Sequence, residues 1–169
     1  MIYEMINSSR TLRNASVALA IILSTGPAAA DQISWRGVVV GVTDGDTLTL
    51  LVAERKTLKV RLSAIDAPEQ RQAGGSKAKQ ALSALCFGKD ALVNVTQIDR
   101  YARSVGEVHC DGKYANEEMV RAGMAWVYRR YAKEGYDGLY AAEREARSIR
   151  QGLWADALPV PPWEWRKAN

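Results

Sequence analysis

The chain has 169 residues, of which 47% are hydrophobic and 25% are charged, and its formal net charge is +4. This length favours a single domain, and this composition indicates a folded globular protein and excludes a disordered chain. The excess of basic residues is small, so by itself it is weak evidence for an anionic partner. The sequence contains one histidine, His109, which leaves little material for a histidine base or a histidine-ligated metal centre.

Residues 1–30 have the three-part layout of a secretory signal peptide. Arg10 and Arg13 form a basic flank, residues 15–24 form an apolar run, and residues 27–30 (PAAA) supply an A-x-A cleavage site. The apolar run is too short to span a bilayer as a mature helix, although a retained membrane anchor stays open as the alternative. We therefore expect cleavage after Ala30, and a secreted or periplasmic mature chain that is monomeric and free of the membrane.

The remaining residues, 31–169, are expected to form one domain with a short tail rich in proline and tryptophan. Valine-rich or alternating apolar residues recur in five places, which predicts strands over 35–42, 47–52, 57–65, 91–98 and 105–110. Asp44-Gly45 and Asp111-Gly112 are typical of hairpin turns. Helical spacing predicts three helices: one after Ser76 as N-cap, one after Asn116 as N-cap, and one with apolar positions at Leu139, Ala142, Ala146, Ile149 and Leu153.

This order of elements is three strands, a helix, two strands and two helices. It predicts an α+β, mainly β, fold class built on a five-stranded OB-fold barrel with about three helices. The tail over residues 159–165 (PVPPWEW) is predicted to pack its tryptophans without extending the fold. Barrels of this type commonly bind nucleic acids or sugars.

The segment from Gly41 to Gln70 combines acidic turns with a basic strand. Asp44-Gly45-Asp46-Thr47 lies between two strands, Asp66-Ala67-Pro68-Glu69 closes the third, and Arg61 lies within that strand. Carboxylate oxygens suit a hard divalent cation, and a guanidinium suits an oxyanion. The segment therefore predicts a site for a cation and an anion together, although each piece alone is usually an ordinary turn, strand end or surface residue.

Six pieces of sequence resemble the staphylococcal nuclease (thermonuclease) family of calcium-dependent nucleases, whose exported bacterial members have an OB-like fold. They are DGDT at 44–47, VRLSAIDAPE at 60–69, DRYARSVGEV at 99–108, a DGK turn, NEEMVRAGMA, and GLW at 152–154, and together they cover about residues 38–155. The resemblance implies an endonuclease that hydrolyses DNA and RNA and leaves 3′-phosphate ends. The alternative is an OB-fold module that binds nucleic acid but is catalytically weak.

The resemblance also implies roles for individual residues. It places the Ca²⁺ ligands on Asp46 and Asp66, with the backbone carbonyl of Ala67 as a third ligand. It makes Glu69 the catalytic glutamate, which orients or deprotonates the attacking water, and it makes Arg61 and Arg103 the phosphate-binding arginines. One departure is alanine at position 102, where the family usually has glycine; a positive φ there would strain the loop that carries Arg103.

Aromatic and basic residues interleave on both sides of these motifs. Stacking on bases combined with charge against the backbone is how unpaired strands are held without sequence preference. We interpret a group of these residues as a substrate-binding rim for single-stranded or frayed DNA and RNA: Arg100, Tyr101, Tyr128 and Tyr131. For Tyr128 and Tyr131, packing against the protein itself is the alternative.

Export also bears on the two cysteines. In an exported chain a cysteine pair is more consistent with a disulfide than with a metal site. Cys86 lies on the apolar side of the first predicted helix, and Cys110 ends the fifth predicted strand. We therefore expect a Cys86–Cys110 disulfide, with two buried free thiols as the alternative.

Overall fold

The computed structural model describes residues 33–132 and 134–169, so the predicted signal peptide and its cleavage site lie outside the described residues. This part of the chain forms eight strands: β1 Ser34–Val42, β2 Thr47–Leu51, β3 Thr57–Leu62, β4 Ile65–Asp66, β5 Asp90–Ile98, β6 Ser104–Cys110, β7 Lys113–Tyr114 and β8 Trp126–Val127. It also forms four helices: α1 Gly75–Cys86, α2 Ala115–Arg121, α3 Asp137–Ser148 and α4 Pro162–Ala168. None of the helices described is long and apolar enough to cross a bilayer.

Five of the strands close into a barrel. The antiparallel pairs β3–β2, β2–β1, β1–β5 and β5–β6 form a continuous sheet, and a parallel pairing of β3 with β6 joins its ends. Alternate residues of these strands fill the interior, among them the fully buried Val39, Leu48, Leu50, Val60, Val93 and Val108. The predicted five-stranded OB-type barrel is therefore confirmed, and the apolar alternation of the sequence is what specifies its inner face.

The third strand is shorter than predicted. It ends at Leu62, and Ser63-Ala64 turns the chain, with Ala64 in the left-handed region at φ 60°. The chain then forms β4, which leaves the barrel and pairs with β8, with Asp66 opposite Trp126. Because of this change of partner, Asp66 does not lie on the strand that holds Arg61. Its carboxylate contacts the Arg61 guanidinium from a separate strand.

Both predicted side-chain N-caps are wrong. Helix α1 begins at Gly75 after Gly74, which has a φ of 89°, and Ser76 lies inside the helix. Asn116 is the second residue of α2 and is fully buried. Its side chain bonds to Val108 and Ser63 and not to the end of its own helix, so it is not a cap. The third predicted helix ends at Ser148, before Ile149, which is exposed.

The C-terminal tail also differs from its prediction, because residues 162–168 form a fourth helix, α4. Its Trp163 does pack, with its ring stacked on Tyr128 at a centroid distance of 5.3 Å and an interplanar angle of 7°. The Sγ atoms of Cys86 and Cys110 are 2.10 Å apart in a disulfide that joins the end of α1 to the end of β6.

Candidate active site

The turn between β1 and β2 fixes the first carboxylate, Asp46. Its backbone N–H donates to Asp44 Oδ1 at 3.1 Å, and its carbonyl accepts from the Leu62 N–H at 2.8 Å. The turn lies so close to α1 that a Cβ on Gly45 would stand 2.6 Å from the Cβ atoms of Ala67 and Ala78. Glycine is therefore required at position 45, and the close packing leaves Asp46 only 3% exposed.

One guanidinium joins the carboxylates of Asp46 and Asp66. Arg61 Nη1 donates to Asp46 Oδ1 at 2.5 Å, and Arg61 Nη2 donates to Asp66 Oδ1 at 2.8 Å. The register of β2 and β3 sets this geometry, because Arg61 is paired with Thr47, the residue after Asp46. The structure thus brings together Asp46, Arg61 and Asp66, which the sequence predicted to share a site.

The backbone of Ala67 belongs to the same cluster. Its N–H donates to Asp46 Oδ2 at 3.0 Å, so the peptide between Asp66 and Ala67 lies beside the Asp46 carboxylate. Asp66 is fully buried. The cluster is therefore a nearly dry group of oppositely charged side chains, in which each charge depends on its neighbours for stabilisation.

Burial and neighbouring charge act in opposite directions on Asp46. Burial raises the pKa of Asp46 to about 6, while Arg61 acts to lower it and Asp44 adds to the increase. For Arg61, burial acts to lower the pKa, but Asp46 and Asp66 more than offset it, so the net shift is upward. The charged form of this arginine is therefore favoured by the same carboxylates that it bridges.

Glu69 lies at the edge of this cluster, in the loop that precedes α1. Its side chain is 35% exposed, so water can reach the carboxylate. Its backbone N–H donates to the side chain of Gln72 at 3.1 Å, and the Gln72 N–H donates back to the Glu69 carbonyl at 2.8 Å. Gln72, which the sequence analysis did not single out, therefore fixes the loop that presents Glu69.

A residue of the tail enters the site that the sequence had not predicted there. Arg166 Nη2 donates to Asp66 Oδ2 at 2.7 Å, and Arg166 Nη1 donates to Glu69 Oε1 at 2.6 Å and to Asp66 Oδ1 at 3.2 Å. The hydrogen bonds to Asp66 are the main cause of a raised pKa for Arg166. One feature of the sequence could have indicated this helix: Pro162 at its first position, with Glu164 in the first turn and Arg166 in the last.

Among the described residues, Arg103 makes no hydrogen bond to the cluster. Its side chain bonds to Asp99, with Nε at 2.8 Å and Nη2 at 2.7 Å from Oδ2. The parallel register pairs Arg61 with Val105, so Arg103 precedes that position by two residues, roughly 7 Å along the strand. The barrel thus brings both predicted phosphate-binding arginines to one edge.

The loop that carries Arg103 has a positive φ at position 102, where this chain has alanine and the family usually has glycine. Ala102 has a φ of 58°, in the left-handed region that favours glycine. Beside it, the Tyr101 ring is 65% exposed and lies under two guanidiniums, with Arg100 Cζ at 4.8 Å and Arg103 Cζ at 5.4 Å from its centroid. The Arg100–Tyr101 half of the predicted rim is therefore an exposed basic and aromatic surface.

The other half of the predicted rim packs against the protein. Tyr128 is stacked on Trp163 and meets Tyr131 edge-on at a centroid distance of 4.9 Å. Its backbone N–H donates to the Ala64 carbonyl at 2.8 Å. Tyr131 keeps 49% of its surface exposed, so of this pair it offers the more accessible ring.

The donor set of the cluster fits a hard divalent cation held loosely. Asp46 Oδ2 and Asp66 Oδ2 each accept one hydrogen bond from the protein, which leaves lone pairs for a cation. Across residues 33–132 and 134–169, no three histidine, cysteine, aspartate or glutamate side chains form a metal-holding group. Two carboxylates and a backbone carbonyl would therefore leave several positions of an oxygen-rich Ca²⁺ shell to water or substrate.

Known proteins are similar to this chain over most of its length. Residues 59–156 match the family described as staphylococcal nuclease homologue. The micrococcal nuclease of Shigella flexneri is 43% identical over 167 residues, which cover 94% of this chain and 93% of that protein. An uncharacterized endonuclease of Escherichia coli O157:H7 is 41% identical over 151 residues, or 89% of this chain and 95% of its own. The family match includes Arg61, Asp66, Glu69 and Arg103, and it ends before α4.

Proposed function

The chain belongs to the family of staphylococcal nuclease homologues and is a nuclease, and we propose that it is an exported, calcium-dependent endonuclease acting on DNA and RNA. The observation that carries the proposal is the Arg61 bridge between Asp46 and Asp66. It joins a guanidinium, which can bind phosphate oxygens, to two buried carboxylates, which can hold a divalent cation, and this combination suits hydrolysis of a phosphodiester.

We assign the cation to Asp46 and Asp66, with the Ala67 carbonyl as a further ligand. A bound Ca²⁺ would polarise the phosphate and neutralise part of its charge. Arg61 and Arg103 approach the phosphate as planar guanidiniums that can donate to two oxygens at once, and they stabilise the charge that develops in the transition state. The proposed products carry 3′-phosphate ends, as the resemblance implies.

Glu69 is assigned to the attacking water because it is the carboxylate of the cluster that solvent reaches. It would orient that water or accept its proton. The proposed substrates are mainly single-stranded or frayed, because the exposed Tyr101 ring and its two arginines offer stacking and charge without base-specific contacts. Export rests on the layout of residues 1–30, and a monomer is proposed for the mature chain.

Cleavage of single-stranded DNA, duplex DNA and RNA in Ca²⁺ and in EGTA tests the proposal. We expect cleavage in Ca²⁺ that chelation abolishes and added Ca²⁺ restores, with faster cleavage of single strands. Undiminished cleavage in EGTA would remove calcium from the proposal. Binding of nucleic acid without cleavage under every condition would favour the catalytically weak binding module.

Two variants and one control test the roles at the site. Arg61→Lys keeps the charge but loses the planar guanidinium that can donate to two phosphate oxygens at once, so we expect kcat to fall about 10²–10³-fold without a matching rise in KM. Glu69→Gln should reduce kcat while Ca²⁺ binding persists. The matched control is Glu54→Gln, since Glu54 is exposed and pairs with Lys56. A loss confined to KM would contradict the transition-state role of Arg61.

A further inference from the structure

The α4 helix supplies a charge to the active site from outside the segment that matches the family. The family match ends at residue 156, and α4 begins at Pro162. Arg166 contacts both oxygens of Asp66 and one oxygen of Glu69. The carboxylate that we assign to the cation is therefore already paired with a cationic group of the chain itself.

The pairing of Arg166 with Asp66 and Glu69 changes the net charge of the cluster. Three carboxylates (Asp46, Asp66 and Glu69) and two guanidiniums (Arg61 and Arg166) leave one net negative charge. Without Arg166 the cluster has two net negative charges, which equals the charge of a divalent cation. A cation on Asp66 Oδ2 would lie close to the Arg166 nitrogen that is 2.7 Å from the same oxygen. Two positive charges at such a separation repel each other beside the Asp66 carboxylate, which is itself fully buried.

The attachment of α4 is local. Trp163 stacks on Tyr128, the Gln72 side chain donates to the Val160 carbonyl at 2.6 Å, and Arg166 pairs with the site. The Arg166 side chain is 38% exposed, and in the segment before the helix Leu158 is 85% exposed. A helix of seven residues has little stability of its own, so its position depends on these contacts, on the burial of Pro162, and on the packing of Trp163 against the cluster of Trp126, Ala146 and Trp154.

We propose that α4 competes with Ca²⁺ for the active site, with Arg166 as the group that a cation must displace from Asp66. The inference rests on the proposed cation site at Asp46 and Asp66. In the cation-free protein α4 covers Asp66 and Glu69; a bound cation releases Arg166 and frees Glu69 for water. Because such coupling is reciprocal, weakening the hold of α4 strengthens cation binding.

Isothermal titration with Ca²⁺ in the absence of nucleic acid, on the whole exported protein at low ionic strength, tests this competition. We expect Arg166→Gln to bind Ca²⁺ about tenfold more tightly than the wild type, within the usual range of coupling between sites. Arg166→Lys keeps the charge but loses the two-pronged contact, so its affinity should lie between the two. The matched control is Lys167→Gln, which removes the same charge from the next, exposed position and should bind like the wild type.

Hydrogen exchange of residues 162–168 gives a second readout. Ca²⁺ should accelerate exchange in the wild type, whereas in Arg166→Gln exchange should be fast with or without Ca²⁺. Unchanged or weaker Ca²⁺ binding by Arg166→Gln, or exchange that Ca²⁺ slows, would overturn the competition. If the wild type binds Ca²⁺ and these effects are missing, only this inference fails. If neither protein binds Ca²⁺, the proposed cation site fails with it.

Discussion

Asn116→Ala should be among the most destabilising single substitutions in this chain. Asn116 is fully buried, its Oδ1 accepts from the Val108 N–H at 3.0 Å, and its Nδ2 donates to the Ser63 carbonyl at 2.9 Å. The Gly106 carbonyl is 3.3 Å from Nδ2 but also accepts a hydrogen bond from the Ser63 N–H, so it keeps one partner in the variant. The substitution therefore leaves two buried backbone groups without these partners, at about 1–3 kcal/mol each, or about 4 kcal/mol together.

Chemical and thermal unfolding of the oxidised protein, followed by circular dichroism, measures this loss. At about 2–4 °C per kcal/mol for a chain of this size, the melting temperature should fall by about 8–16 °C. Glu118→Ala is the matched control, because Glu118 is an exposed residue of the same helix, and it should change stability by less than about 0.5 kcal/mol. A loss of stability below about 1 kcal/mol for Asn116→Ala would refute this reasoning, since it would mean that water or a backbone shift replaces both hydrogen bonds.

Three further predictions concern the loop, the disulfide and the N-terminus. Ala102→Gly should raise stability by about 0.5–1 kcal/mol, because it relieves a non-glycine residue at φ 58°; Ala84→Gly, inside α1 and exposed, should lower it by about 1 kcal/mol, and a melting temperature lowered by Ala102→Gly would contradict the strain. Thiol titration of the unfolded, unreduced exported protein should find no free thiol at Cys86 or Cys110; two would exclude the bridge. N-terminal sequencing of that protein should begin at Asp31, and a protein that retains residues 21–23 would show that the apolar run is kept.

The barrel could be predicted because its information is local. Period-two alternation fixes which face of each strand is buried, and hairpin turns such as Asp44-Gly45 link neighbouring strands. The end of β3 could not be predicted in the same way, because the alternation continues through Ser63 and Ala64. The strand ends because Ala64 adopts a left-handed conformation and β4 pairs with β8. The sequence around Ala64 contains no residue pattern that predicts either feature.

The two wrong N-caps have a common physical cause. Serine and asparagine favour helix starts because their side chains can bond to free backbone N–H groups, so a sequence pattern assigns them to that role. Asn116 instead bonds to β6 and to the turn after β3, where it satisfies backbone groups far away in sequence. A polar side chain can serve either its own helix or a distant strand, and only the tertiary fold decides which.

Some residues of the candidate site are placed by local connections, and others are placed only by the tertiary fold. Asp46 and Arg61 belong to one hairpin, so their proximity follows once its register is known, whereas Asp66 reaches them through the turn at Ala64 and the pairing of β4 with β8. Arg103 comes to the same edge only because β3 and β6 pair in parallel and close the barrel, and its motif could suggest that position only by resemblance. Arg166 had neither advantage, since its helix lies outside the family match and its partners are about one hundred residues away. Its proposed role is argued from charge: a buried aspartate attracts any cationic group that can reach it, so the divalent cation that we propose for Asp66 would meet a guanidinium that α4 already holds there.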